Sequence, residues 1–169
     1  MKNERDEQFH QFVVTRRAGL VRTATLLTAG DAHLAEDLVQ STLTKLYVAW
    51  PAFQRADNPD GYLRRVLVNA LTDERRRWWR RRERPMAEVP DHAVAEAVPG
   101  DLEDGLRAAL TQLPPRMRAA LVFRYFYDLD VADTADALGC SEGTVKSQTA
   151  RALDRLRAVI GQNPSFALR

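Results

Sequence analysis

Apolar side chains recur at intervals of three and four residues along most of the chain, and no stretch alternates apolar and polar residues as a half-buried strand would. The segments that keep one apolar face at this spacing are 9–27, 34–50, 63–78, 102–113 and 117–125, followed by two short segments near 131–138 and 142–160. The sequence therefore predicts an all-α protein.

Local start and stop signals divide this pattern into separate helices. Gly30 is suited to ending the first helix and Asp31 to capping the second. Pro51 is expected to end the second helix just after Trp50, and residues 53–59 are expected to form a loop. The loop closes with Asn58-Pro59, an N-cap followed by a proline at the first helical position.

Charge is segregated along the chain, although the net charge is only +2. Residues 64–84 contain nine arginines and three acids, whereas residues 85–105 contain six acids and no lysine or arginine. Prolines punctuate the acidic stretch, as is typical of a linker. We expect two small helical domains, residues 1–84 and 101–169, joined by a flexible acidic linker at residues 85–100.

Composition excludes several classes of protein. With 45% hydrophobic and 28% charged residues, the chain is suited to forming a packed core. No apolar run approaches the ~20 residues of a membrane span, and the charged N-terminus lacks the apolar part of a secretory signal. The single Cys140 fits a reducing cytoplasm. We expect a cytoplasmic protein without membrane insertion.

The sequence gives little support for an enzyme. His10, His33 and His92 are scattered without metal-ligand spacing, Cys140 lies in an expected turn, and no phosphate-binding loop is present. We expect no catalytic residues, no metal and no cofactor.

The last two helices carry a helix-turn-helix pattern. Ala135, Leu138, Gly139 and Val145 hold the relative positions at which this motif needs a small residue, a turn and an apolar lock. An ordinary helical hairpin with a solvated face remains the alternative. The DNA-binding candidates are the cap and outward side chains of the second helix: Ser141, Thr144, Lys146, Ser147, Gln148, Arg151 and Arg155.

A second candidate for nucleic-acid contact is the arginine strip, residues 75–84, which reads RRRWWRRRER. Trp78 and Trp79 point about 100° apart on a helix, so both cannot be central core residues. Trp78 continues the apolar face, whereas Trp79 is a candidate for stacking on a base among arginines that hold phosphates. A solvated helix end and pairing with the following acids are the competing interpretations.

Taken together, these segments resemble the extracytoplasmic-function sigma factors, group IV of the sigma-70 family of RNA polymerase subunits. Leu113–Arg157 resembles their region 4, Ala35–Tyr47 (AEDLVQSTLTKLY) region 2.2, and Asn58–Arg82 regions 2.3 and 2.4. The resemblance implies a σ2 domain and a σ4 domain that bind core RNA polymerase and recognise the −10 and −35 promoter elements, respectively.

The resemblance also implies roles for individual residues. Asp37, Leu38, Gln40 and Leu43 match positions that dock on the clamp helices of the polymerase β′ subunit. The loop from Phe53 to Gly61 matches one that captures a flipped −10 base, although N-capping alone explains Asn58. The −10 candidates are Phe53, Asn58, Asn69, Arg75, Arg76, Trp79 and Arg80.

Four residues depart from the family pattern. Ser41 stands where relatives often have Glu, which is expected to weaken one polymerase contact. Thr134 and Thr149 replace common aliphatic residues on the packing side and are expected to be a matched pair. Gln148 replaces a common Arg, so a family −35 sequence cannot be transferred directly to this chain.

Further partners follow from the resemblance: the β flap of the polymerase, an anti-sigma factor, and promoter DNA in the nucleoid. The alternative function is that of a helix-turn-helix regulator that acts without joining the polymerase. That alternative gives no reason for the Asp37/Gln40 helix or for the arginine strip.

Overall fold

The computed structural model describes residues 2–82 and 104–162, and all of the regular structure in these ranges is helical. The all-α prediction is therefore confirmed. The chain divides into two compact units, one formed by residues 1–24 and 31–99 and the other by residues 25–30 and 100–169. The expected acidic linker lies outside the described residues.

The first unit contains most of α1 (Lys2–Leu27), together with α2 (Ala32–Val48), α3 (Trp50–Gln54) and α4 (Pro59–Arg82). The predicted capping residues at the starts of α2 and α4 form the expected hydrogen bonds. The Asp31 carboxylate accepts a hydrogen bond from the Leu34 backbone N–H at 3.0 Å, and Asn58 Oδ1 accepts one from the Gly61 N–H at 2.9 Å. Each cap satisfies a backbone donor that has no partner within the helix.

Aromatic rings from α1, α2, α3 and α4 form one cluster in the first unit. Phe12 packs edge-on against Trp50 and Phe53, with ring centroids 5.4 and 5.2 Å apart, and Trp50 stacks on Phe53 at 5.2 Å. Phe9 meets both Tyr47 and Trp50 at 5.1 Å. Such edge-on and stacked pairs are favourable beyond the area they bury. The cluster therefore fixes α1 against the segment around Pro51.

The sequence prediction was partly wrong around Pro51. The second helix ends at Val48 rather than Trp50, and a short helix follows over Trp50–Gln54 with Pro51 in its first turn. Proline is tolerated there because the first N–H groups of a helix have no intrahelical partner. Phe53 therefore lies on a helix with its side chain in the core, and the expected loop begins after it.

The second unit contains α5 (Asp104–Thr111), α6 (Pro115–Leu121), α7 (Val131–Leu138) and α8 (Glu142–Gln162). The proline pair 114–115 separates the first two of these helices, as predicted. Arg118 joins them, because its guanidinium donates to the backbone carbonyl oxygens of Leu110 and Leu113 at 2.9 and 3.0 Å.

A π-helical turn over Val122–Phe126 follows α6, where the sequence predicted a continuous α-helix. The Tyr127 N–H donates to the Val122 carbonyl at 3.3 Å, the five-residue spacing of a π-turn. Val122 and Phe123 are buried, whereas Tyr125, Phe126 and Tyr127 are 58%, 46% and 39% exposed. The wider turn places the first pair of side chains in the core and leaves the aromatic side chains that follow facing solvent.

Candidate nucleic-acid and polymerase interfaces

The helix-turn-helix pattern folds as predicted. Gly139 ends α7 with φ +64°, and the Cys140 N–H donates to the Ala135 carbonyl at 3.1 Å. Ser141 Oγ then caps α8 by accepting from the Thr144 N–H at 3.1 Å. Glycine suits this turn because it adopts the left-handed conformation without steric cost. Two caps and one glycine therefore set the path of the chain from α7 into α8.

The predicted packing face of α8 is the buried one. Val145 and Ala152 are fully buried, and Thr149 is 9% exposed. Thr134 on α7 is also fully buried, and its hydroxyl donates to the Asp130 carbonyl at 2.8 Å. Both threonines that depart from the family pattern are thus core residues.

The DNA-binding candidates on α8 differ in solvent exposure and in the hydrogen bonds they already make. Lys146 and Arg151 are exposed. Ser147 is exposed, but its hydroxyl donates to the Thr144 carbonyl at 3.1 Å, and Arg155 donates to the Gln112 carbonyl at 3.4 Å. The remaining candidates are Ser141, exposed with its hydroxyl engaged in the cap, and Thr144 and Gln148, both half-buried.

Gln148 has an unusual setting. Its Oε1 atom is buried and has no hydrogen-bond partner among the described residues. An unpaired buried amide oxygen costs free energy, so the side chain gains by turning toward an external donor.

The four polymerase-binding candidates on α2 fall into two pairs. Asp37 and Gln40 are exposed on the helix surface. Leu38 is fully buried and Leu43 is 8% exposed, so both lie in the core of the unit. The leucines hold α2 in place, and only the two polar side chains are available to a partner.

The −10 candidates are not brought into one compact pocket. Phe53 is 7% exposed within the aromatic cluster, and Asn58 is engaged as the cap of α4. Asn69 is exposed eleven residues further along, which corresponds to about 16 Å of helix rise. Asn58 and Asn69 therefore stand at different levels of α4.

A cavity lies beside this loop, for which the resemblance implied a base-capturing pocket. Its volume is about 420 Å³, and Arg16 on α1 forms an ion pair with Asp60 on α4 at its wall. Of its lining residues, Phe53 was a −10 candidate, whereas the lining side chains from α1 were not predicted to belong to a site. The lining residues are Gln11, Phe12, Thr15, Arg16, Phe53, Pro59 and Asp60.

The arginine strip begins on the last turns of α4. Arg76 and Arg80 are exposed, whereas Arg75 is half-buried and burial lowers the pKa of its guanidinium. Arg77 lies 3.3 Å from the Glu74 carboxylate. The side chains of Trp78 and Trp79 lie outside the described residues, as does everything from residue 83 to residue 103.

Two polar contacts join α2 to α4 just before this strip. Ser41 Oγ donates to Glu74 Oε1 at 2.6 Å, and Lys45 forms an ion pair with Asp73. The hydrogen bond from Lys45 lowers the pKa of the Asp73 carboxyl group.

No group of three or more metal-ligating side chains that could hold an ion occurs within residues 2–82 and 104–162. None of the described helices combines the length and apolar character that crossing a lipid bilayer requires.

Both units of the chain match a known protein family. The family "Sigma-70 region 2" matches residues 13–81, and "Sigma-70, region 4" matches residues 103–156. The region 2 match accounts for α1 to α4, which a helix-turn-helix regulator acting without polymerase would not require. That alternative is therefore not favoured.

Relatives that match over most of the chain are also sigma factors. The chain is 36% identical to the RNA polymerase sigma-E factor of Streptomyces coelicolor over 156 residues, covering 89% of this chain and 84% of the relative. It is 33% identical to the ECF RNA polymerase sigma factor EcfG of Rhodopseudomonas palustris over 144 residues, covering 83% and 78%. It is 33% identical to the ECF RNA polymerase sigma factor SigM of Mycobacterium tuberculosis over 137 residues, covering 80% and 68%.

A solved structure supports the same assignment. The sigma factor RpoE of Bartonella quintana, crystallised with the anti-sigma factor NepR, matches with a TM-score of 0.72 and 26% identity over 93% of this chain and 99% of that chain. With both sigma-70 regions in order and whole-chain relatives of one kind, the chain belongs to the extracytoplasmic-function sigma factors and directs promoter-specific transcription by RNA polymerase.

Proposed function

We propose that the two parts of the chain divide promoter recognition between them, as a group IV sigma factor would. Residues 1–84 bind core polymerase and the −10 element, residues 85–100 link the two parts, and residues 101–169 bind the −35 element. The observation that carries this proposal is the capped and packed α7–α8 pair, with its polar and basic side chains on the outer face of α8.

At the −35 element, α8 enters the major groove with its first turns. Ser147, Gln148 and Arg151 read base edges, and Lys146 contacts phosphate, because an exposed ammonium group suits a phosphate oxygen. Ser141 and Thr144 set the start of the helix and add contacts at its N-terminus, where backbone N–H groups favour an anion. Arg155 contributes at the edge of the interface.

At the −10 element, the arginine strip follows the backbone of the nontemplate strand. Arg75, Arg76 and Arg80 supply positive charge, and Trp79 stacks on an unpaired base. Asn69, exposed on α4, offers an amide to a flipped base, and Phe53 and Asn58 hold the neighbouring loop.

The polymerase-binding surface is the exposed polar side of α2. Asp37 and Gln40 contact the clamp helices of the β′ subunit, while Leu38 and Leu43 keep α2 packed beneath them. The second part of the chain contacts the β flap. An anti-sigma factor that covers these surfaces would keep the protein inactive. The similarity of this chain to a sigma factor crystallised with the anti-sigma factor NepR supports such a partner. The protein functions in the cytoplasm at the nucleoid, without enzymatic activity or cofactor.

Run-off transcription tests this function. Core polymerase is incubated with a promoter library with and without the protein, and specific transcripts are expected only when the protein is present. Arg151→Ala is expected to reduce transcription from promoters that depend on a −35 element. Arg157→Ala serves as the matched control, because Arg157 is an exposed arginine on the same helix that already pairs with Asp154 at 3.2 Å. Absence of specific transcripts, together with failure to co-purify with core polymerase, would contradict the proposal.

A further inference from the structure

The contact between Ser41 and Glu74 joins the polymerase-binding helix to the helix that carries the arginine strip. Ser41 Oγ donates to Glu74 Oε1 at 2.6 Å, and the same oxygen lies 3.3 Å from Arg77 Nη1. The Glu74 side chain is only 11% exposed. A carboxylate so well covered is costly unless it is hydrogen-bonded, so Glu74 depends on these two donors.

The contact lies where apolar packing along α4 gives way to the arginine strip. Leu71 is buried at 6% exposure, and three residues later the described contacts from α4 to α2 are polar. The neighbouring pair, Lys45 with Asp73, has side chains 39% and 47% exposed and is therefore weakened by solvent. The covered Ser41–Glu74 hydrogen bond is the stronger constraint of the two.

This constraint continues the buried face of α4 beyond Ala70 and thereby helps to set which way the arginines face. Successive residues on an α-helix are about 100° apart, so Arg76 and Arg80 lie about 160° and 120° around the axis from Glu74. Both arginines are exposed. Holding Glu74 against α2 therefore turns Arg76 and Arg80 away from α2.

We propose that Ser41 and Glu74 form a polar lock that fixes the rotational setting of the last turns of α4, which carry Arg76 and Arg80, relative to α2. Both are positioning residues for −10 DNA binding, and this role rests on the proposed function of the strip. Ser41 is then a matched partner for Glu74 rather than a lost polymerase contact. A carboxylate at position 41 would face Glu74 and repel it.

The first test uses full-length protein in complex with core polymerase and a single-stranded −10 nontemplate oligonucleotide. Ser41→Glu is expected to weaken oligonucleotide affinity at least tenfold, and adding Glu74→Gln is expected to restore it to within threefold. Ser41→Thr keeps the hydroxyl group and is expected to bind like the wild type. Lys45→Met, which removes the exposed neighbouring pair, is the matched control and is expected to change affinity less than twofold.

The second test does not depend on DNA binding. Spin labels at Thr44→Cys and Arg80→Cys, in a Cys140→Ser background, report the distance between α2 and the strip. The lock predicts a broadened or shifted distance distribution in Ser41→Glu that narrows again when Glu74→Gln is added. An unchanged distribution overturns the lock, whether or not the protein directs transcription.

Two other outcomes also overturn the proposal. If Ser41→Glu binds core polymerase more tightly and leaves oligonucleotide binding unchanged, Ser41 marks a lost polymerase contact. If polymerase affinity, oligonucleotide affinity and the unfolding midpoint all fall in parallel, the contact is only structural. A wild-type protein that lacks −10 preference refutes the proposed role of the strip, and the spin-label distances then decide the lock separately.

Discussion

At the scale of single residues, burial separates side chains that can meet a partner from those that support them. Asp37 and Gln40 are exposed on α2, whereas Leu38 and Leu43 on the same helix are in the core. All four match family positions for polymerase binding, but only the first two can form direct contacts. Substituting either leucine would act through the stability of the unit, since truncating a buried leucine typically costs about 2–5 kcal/mol.

Asp37→Arg is expected to weaken binding to core polymerase at least tenfold, or about 1.4 kcal/mol, because it reverses an exposed charge at the proposed interface. The affinity is measured by fluorescence titration of labelled protein with core polymerase. Asp154→Arg makes the same change in charge on an exposed position of α8 and is the control. Equal effects of the two substitutions, or none from Asp37→Arg in a protein with an unchanged circular dichroism spectrum, would refute the assignment.

Gln148→Ala and Lys146→Ala are expected to have different effects on −35 binding. If Gln148 reads a base, its loss costs about 1–3 kcal/mol and relaxes preference at one position. Loss of a phosphate contact from Lys146 weakens binding to all sequences alike and lowers the slope of log affinity against log salt by about one. Binding of variant holoenzymes to a library of −35 sequences at several salt concentrations measures both. An unchanged preference profile for Gln148→Ala would show that Gln148 does not read a base.

At the scale of elements, one capping residue and one glycine decide where α8 begins. Ser141 caps α8, and the left-handed Gly139 directs the chain into it. Gly143 lies in the first turn of α8, where glycine has a lower helix propensity than alanine. The turn therefore requires glycine at position 139, whereas at position 143 glycine is less favourable to the helix than alanine.

Gly139→Ala is expected to destabilise the second unit by about 1–2 kcal/mol, because an L-residue at φ +64° is strained even where space is available. Gly143→Ala is expected to stabilise it by up to about 1 kcal/mol. The nearest atom to an added Cβ at position 143 is Ser141 Oγ at 3.9 Å, so the methyl group fits. Urea unfolding followed by circular dichroism measures both changes. Effects of the same sign would contradict this account of the turn.

At the scale of the whole molecule, positive and negative charges occupy separate parts of the chain. The seven arginines of residues 75–84 suit the proposed −10 interface, and Glu88, Asp91 and Glu96 follow between this strip and the second unit in sequence. In the proposed function one polymerase-bound protein engages both promoter elements at once, so the rotation of one element relative to the other about the duplex affects binding.

Changing the spacing between the two elements tests this arrangement. Five extra base pairs rotate one element by about half a helical turn, since a turn contains about 10–10.5 base pairs. We expect at least a tenfold loss of run-off transcription from promoters that the holoenzyme selects. A promoter that lacks the −35 element is the control, and its transcription should not respond to the insertion. Full activity with the insertion would show that the two elements are not engaged together.

The sequence by itself determined the helices and most of their ends. Helical spacing, the caps at Asp31, Asn58 and Ser141, and the glycine turn at Gly139 are local properties, because each depends on backbone groups within a few residues. For the same reason the α7–α8 pair and the packing face of α8 were predictable. The π-turn after α6 was not, because it depends on how Val122 and Phe123 fit the core.

Only the tertiary structure decided which residues from distant segments meet. It moved Phe53 from an expected loop into the aromatic cluster, where it meets Phe12, and it paired Ser41 with Glu74. None of these contacts has a local sequence signal, because each joins helices far apart in the chain. The two helix surfaces proposed to bind polymerase and −10 DNA were each visible in the sequence, but the hydrogen bond between them depends on how α2 packs against α4.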